Sequence, residues 1–192
     1  MSVEILPATA DRYDDAVHAL ADGDGPGCMC QWWMARPADY AKLDDADKAR
    51  RLRDDLSADL APALIGYVDG DAAGWVRVGP RTTQPRIERT RNIASISEEP
   101  FDDPDVWAIS CFAVRGEHRG EGLMARLLTA AVDHARAHGA RVIEGYPVDT
   151  AVGRHRATEM YHGTLAAFQA AGFSVVGRPR PDRAVMSLRL DG

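Results

Sequence analysis

The chain is poor in lysine and cysteine, and it has no long apolar run. Of its 23 basic residues only Lys42 and Lys48 are lysines, and the formal net charge is -6. Nucleic-acid binding draws on clustered Lys and Arg, so a general nucleic-acid partner is not expected. The arginine excess reads as genome composition. Apolar stretches such as Trp107–Ile109 fall far short of the roughly 20 residues that span a membrane. No membrane partner is expected, and Met1–Pro7 lacks the basic and apolar regions of a secretion signal. The three cysteines are Cys28, Cys30 and Cys111. An odd count, with the near pair too close for an ordinary bridge, reads as reduced thiols in a cytoplasmic protein. Cys28-x-Cys30 has no second ligand pair, Asp22-Gly-Asp-Gly25 has no closing Glu, and His134/His138 have no carboxylate companion. No metal is expected.

What is present is an ordinary globular composition: 192 residues, 45% hydrophobic and 27% charged, with no linker or internal repeat. One domain over residues 1–192 is expected. Ser2–Ala8 reads as a strand, and Tyr13, Ala16, Val17 and Leu20 share one helical face. Leu43–Asp59 reads as a charged helix. Ala63–Val68, the Asp69-Gly-Asp71 turn and Ala73–Val78 read as a hairpin. Gly79–Asp105, with four prolines, is a connection long enough to border a site. Val106–Val114 reads as a buried central strand. Gly120–His138 repeats apolar residues at helical spacing and stops at Gly139. Arg141–Tyr146 reads as a strand, Glu159–Ala171 as a helix, and Phe173–Gly177 with Ala184–Leu190 as a closing hairpin. The expected class is α/β, a mixed sheet flanked by helices with a strand–helix–strand crossover in its second half.

The chemistry concentrates between strand and helix at Phe112-Ala-Val114, Arg115–His118 and Arg119-Gly-Glu-Gly-Leu-Met124. Glycines before a helix expose backbone N–H groups at the positive end of its dipole, and Arg119 adds a fixed charge; a pyrophosphate suits such a place. No Gly-Lys-Ser/Thr follows, so it is no Walker loop. Gly120-x-Gly122-x-x-Ala125 also fits the dinucleotide fingerprint, but five residues separate Val114 from Gly120, where that fingerprint runs strand directly into glycine.

Arg119-Gly-Glu-Gly122, following Phe112-Ala-Val114, resembles the acetyl-CoA signature of the GNAT N-acetyltransferase superfamily, Arg/Gln-x-x-Gly-x-Gly/Ala. Phe168-Gln-Ala-Ala-Gly-Phe173 resembles that family's closing helix and strand start, and the order of elements agrees over nearly the whole chain. The resemblance implies a mixed, mostly antiparallel sheet and an acetyl-CoA-dependent N-acetyltransferase acting on a primary amine, of a small molecule rather than of a protein, by direct attack in a ternary complex. It implies that the Arg119, Gly120, Glu121, Gly122, Leu123 and Met124 amides hold the pyrophosphate. Phe112, Ala113 and Val114 would pair with pantetheine, and the Val114 N–H would polarise the thioester carbonyl. The family's usual tyrosine acid is Phe168 here, and Met124 stands where a small residue is usual. Tyr161, two turns before Phe168 on one helical face, is the candidate acid and Glu144, with Asp149 behind it, the candidate base. Cys28, Trp32 and Trp33 are the candidate acceptor pocket, with Cys111 an inert core thiol. A homodimer is compatible with the resemblance. The rival readings are a non-catalytic acyl-CoA-binding module and a protein-modifying acetyltransferase.

Overall fold

The computed structural model describes residues 2–21 and 27–190; the Asp22–Gly25 turn lies outside them. Seven strands form one sheet: β1 Val3–Pro7, β2 Ala63–Val68, β3 Asp71–Pro80, β4 Val106–Val114, β5 Val142–Gly145, β6 Ser174–Arg180 and β7 Arg183–Arg189. Their order is β1-β2-β3-β4-β5-β7-β6. Every pair is antiparallel except β4–β5, whose connection is the expected helical crossover. The helices are α1 Tyr13–Leu20, α2 Pro37–Tyr40, α3 Asp45–Leu56, α4 Pro85–Arg89, α5 Arg91–Ala94, α6 Leu123–Ala137 and α7 Leu165–Ala170. No described helix is long and apolar enough to cross a membrane.

α6 packs on one face of the sheet. Its Leu127, Leu128, Ala131 and Ala135 bury against Val76, Val78, Ile109 and Ile143, and Phe168 of α7 joins them, fully enclosed. Burying a phenylalanine contributes roughly 1.5–3 kcal/mol. α1 and α3 cover the other face through Ala16, Leu20, Leu52 and Leu56 against Ile65 and Trp75. α3 begins where Asp44 accepts from the Asp47 amide at 2.7 Å, satisfying one of the orphan donors of its first turn.

Three expectations need correction. The long connection folds into a 3-10 turn and two short helices, α4 and α5. Its Ile87 and Ile93 bury with Trp33 and Tyr146. α6 begins at Leu123 rather than Gly120, because Gly120 and Gly122 take φ of +84° and +77°, outside any right-handed helix. The single helix expected over Glu159–Ala171 is two pieces, a 3-10 turn over Ala157–His162 and α7, parted by Gly163 at φ +74°. Tyr161 and Phe168 therefore do not share a helical face: Phe168 enters the core under α6, while Tyr161 packs on the opposite side with Trp33 and Cys111.

A bulge in β4 sets up the site. Val78 pairs with Ile109 and Arg77 with Cys111, so Ser110 is a surplus residue. β4 and β5 stay paired from Val106↔Val142 to Ile109↔Gly145 and part immediately after it. Past β5, Val148 instead bridges to Thr164 and Arg183. A gap opens between the two central strands.

Candidate functional site

The far half of β4 forms one wall of this gap. The Arg115 amide donates to the Ala73 carbonyl at 2.9 Å, which makes 73/115, 75/113 and 77/111 the hydrogen-bonded pairs of β3–β4. Antiparallel alternation then turns the N–H and C=O of Phe112 and Val114 away from β3 and into the gap. The Arg119 Nε donates to the Val114 carbonyl at 3.1 Å, tying the turn back to the strand end.

At the open end of the same wall lies the start of α6. Gly122 occupies its cap position with no side-chain hydrogen bond. The Arg126 amide makes the first intrahelical bond, to the Gly122 carbonyl at 3.2 Å. The amides of Gly122, Leu123, Met124 and Ala125 precede it and carry the positive end of the dipole. A Cβ built on Gly120 or Gly122 would meet nothing within 4 Å. These glycines are needed for their left-handed backbone, and they leave space in front of the amides.

One cavity of about 760 Å³ joins the helix start to the gap, within the usual size range of ligand sites. Phe112, Ala113, Val114, Arg119, Gly120, Gly122, Leu123 and Met124 line it, as do Cys28, Trp32, Trp33 and Tyr161. Glu121 and Glu144 do not. Glu144 sits buried on β5, where its carboxylate accepts from Arg81 Nη1 at 2.8 Å, Ser97 Oγ at 2.6 Å and Tyr146 Oη at 3.0 Å. A carboxylate with three donors is engaged in holding the 81–101 segment to the sheet. Asp149 is likewise held by Arg178 at 2.8 Å, whose hydrogen bond lowers its pKa.

The acceptor side of the cavity is aromatic. The Trp32 and Tyr40 rings meet edge to face at 5.0 Å, and the Arg86 guanidinium lies 3.7 Å from the Trp32 centroid. Trp33 packs against Tyr146 and His162, and its buried Nε1 has no hydrogen-bond partner among the described residues. Such a donor costs about 1–3 kcal/mol unless something accepts from it. Tyr161 stacks on His162 at 4.0 Å. Burial, reinforced by the nearby Cys111 thiol, pushes the Tyr161 phenol up to about 12. It keeps its proton at any ordinary pH.

The sequence reading missed Tyr40, Met160 and Cys30 as wall residues. Tyr40 carried no spacing signal. Met160 lies in a polar stretch with no apolar period, and Cys30 is brought in by an irregular turn.

At the rim, Asp71, Glu117 and His118 bring three donor atoms within 4.8 Å of one another. Both carboxylates are exposed, and Glu117 is engaged by Arg115 at 2.8 Å.

This arrangement, a parted parallel pair with a glycine-capped crossover helix at its mouth, defines an acyl-CoA transferase type of fold. The family model of the Acetyltransferase (GNAT) family matches residues 28–164, and the chain belongs to that family. Solved structures agree in fold. A GNAT-family acetyltransferase from Streptococcus pneumoniae superposes with a TM-score of 0.59 at 16% identity, covering 99% of this chain and all of that one. The Salmonella typhimurium protein yncA, solved with its cofactor acetyl-CoA, gives 0.57 at 17% identity over 100% of this chain and 95% of its own. The PaiA N-acetyltransferase from Thermoplasma acidophilum, in complex with coenzyme A, gives 0.55 at 10% identity over 98% and 99%. No curated protein sequence matches the chain.

Proposed function

We propose that this protein is a cytoplasmic N-acetyltransferase that moves the acetyl group of acetyl-CoA to a primary amine of a small molecule by direct attack in a ternary complex. The observation that carries the reading is the continuity of one cavity from the α6 amides, past the inward-turned N–H of Val114, to the aromatic wall of Trp32, Trp33 and Tyr161. The residues present fit the cosubstrate. Left-handed Gly120 and Gly122 clear a path to unpaired helix amides, which suits a pyrophosphate. Phe112 and Val114 offer strand-edge hydrogen bonds to an extended amide-bearing arm.

When bound, acetyl-CoA supplies the acetyl group as an activated thioester. The Val114 N–H, fixed at a strand end, is placed to donate to an oxygen that gains negative charge, which is the work of an oxyanion donor. The Tyr161 phenol holds the proton that a departing thiolate requires. Trp33 Nε1 is a donor for a polar atom of the acceptor, and the rings of Trp32 and Tyr40 favour an acceptor with an apolar or aromatic body. Glu144 is enclosed by three partners, so removal of the ammonium proton falls to water or to the acceptor's own equilibrium in bulk solution.

Thiol release from acetyl-CoA over a panel of small amines, with acetyl-CoA binding measured separately by calorimetry, tests the reading. Amine-dependent release supports it. Tight binding with no release on any amine would make the protein an acyl-CoA-binding module instead, and release only with protein or peptide amines would make it a protein-modifying enzyme.

A further inference from the structure

All three cysteines of the chain line the one cavity. Cys28 and Cys30 come from the turn after α1 and Cys111 from β4, so the fold has gathered thiols from distant parts of the sequence. Cys30 is the most constrained of them. It and Met29 hold φ of +53° and +46°, a left-handed conformation that non-glycine residues keep only when the surroundings over-determine it.

Those surroundings are donors. Trp75 Nε1 lies 3.2 Å and Arg77 Nε 3.5 Å from the Cys30 sulfur. Cys111, the cross-strand partner of Arg77, lines the cavity with Cys30 and directs its thiol to the Phe112 carbonyl at 3.9 Å. Indole and guanidinium nitrogens cannot accept, so a sulfur facing these two donors is an acceptor. Burial alone would raise the Cys30 thiol; the neighbouring Cys111 thiol, the Arg77 charge and the Trp75 N–H together bring it down instead. Cys111 is pushed up by the neighbouring Cys30 sulfur and by burial, so the proton of the pair stays with Cys111. The other charged and titratable groups facing the pair are Asp55, which pairs with Arg77 at 2.8 Å, Cys28, which burial raises and which meets Tyr40, and Tyr161, packed with Cys111 and pushed up by burial.

We propose that Cys30 and Cys111 form an oxidisable dithiol in the cavity wall, a modification site for small hydroperoxides. The Cys30 thiolate takes the terminal oxygen of the hydroperoxide. The O–O bond breaks, the alkoxide or hydroxide leaves and is protonated by solvent, and Cys30 becomes a sulfenic acid. The Cys111 sulfur, giving up its proton, then attacks the Cys30 sulfur. The S–O bond breaks, the oxygen leaves as water with that proton, and one disulfide remains. Cys111, packed against the same cluster as Cys30 and opposite its partner Arg77, is the resolving thiol. Cys28 lies too close along the chain to bridge comfortably to Cys30.

The bridge ties the turn that carries Trp32 and Trp33 to β4, fixing the aromatic wall against the sheet. None of this depends on which substrate fills the cavity.

The test treats the reduced full-length protein with hydrogen peroxide, blocks remaining thiols with N-ethylmaleimide and maps the peptides by mass. A single intramolecular Cys30–Cys111 bridge is expected, with Cys28 alkylated and the bridge reversed by dithiothreitol. In C111S, dimedone should trap a sulfenic acid on Cys30; should that variant not fold, dimedone added during oxidation of the wild type should capture the same adduct transiently. Oxidation first at Cys28, bridges between chains, or no bridged peptide at peroxide levels that consume a simple thiol peptide would overturn the proposal.

Discussion

Arg81 Nη1 stands 2.8 Å from Glu144 Oε2 with 0% and 1% of the two side chains exposed, so a charge pair from α4's leading turn and β5 is closed off from water beside the parted strands. The same guanidinium also donates to Ser97 Oγ and to the carbonyls of Glu99 and Pro100. Arg81 thus gathers residues 97, 99 and 100 onto β5, and Arg141 holds the same connection again through Glu99 and Asp103.

Removing one member of such a pair leaves the other uncompensated in low dielectric, which costs about 3–5 kcal/mol. Glu144→Ala should lower unfolding stability by that order in urea titration, with acetyl-CoA binding retained in the fraction that stays folded. A fall in kcat with unchanged stability would instead restore Glu144 as the proton acceptor.

Tyr161→Phe removes the phenolic proton while keeping the ring against His162 and Trp33. Turnover should fall by about 10²-fold, the low end for a positioned acid, with the KM for acetyl-CoA unchanged. The phenol titrates near 12 rather than 10, and its protonated form is the competent one. The wild-type kcat–pH profile should therefore show no loss of this group below about pH 11, whereas an ordinary tyrosine would begin to fail at about pH 9.

Gly122→Ala should fold, since nothing obstructs the new methyl, at a cost of about 1–2 kcal/mol for its left-handed backbone. The methyl stands before the α6 amides. Calorimetry should show weakened acetyl-CoA binding beyond what the stability loss explains, with the amine profile of the residual activity unchanged.

His162 gives a stability signature. Burial, with help from the Arg183 charge, lowers its pKa to about 3 from an ordinary 6.5. Between those values the unfolded chain binds a proton that the folded one refuses, so stability rises with pH across that window and falls as acid is added. One group contributes a slope of at most about 1.4 kcal/mol per pH unit. Urea midpoints should fall from pH 6.5 downward in the wild type, and His162→Phe should flatten that fall.

Much of this molecule can be read from local pattern. The apolar period of α6, the Asp69-Gly70 hairpin and the Gly120/Gly122 spacing are short-range signals, and each marks the element found. The wall of the cavity from Phe112 to Met124 is legible because strand, turn and helix start are contiguous in the sequence. Glu144 shows the limit. Its partner Arg81 is 63 residues away in a proline-rich stretch with no periodicity, so nothing local distinguishes a sequestered carboxylate from an available one. Gly163 broke a helix that its neighbours' apolar spacing favoured. The meeting of Cys30 and Cys111 in one cavity wall needed the whole sheet to exist before it could be seen.

Ser110 is one residue too many in β4, and its consequence is one of parity. Ahead of it, odd-numbered Trp107 and Ile109 face α6; beyond it, even-numbered Phe112 does, and odd-numbered Cys111 faces the other layer. Excising this single serine would make Ile109 and Cys111 neighbours on opposite faces, opposite Val78 and Arg77 as before, so regular pleating would return with both layers kept. What the strand would lose is the bend and added twist of the bulge, placed at the residue where β4 and β5 part.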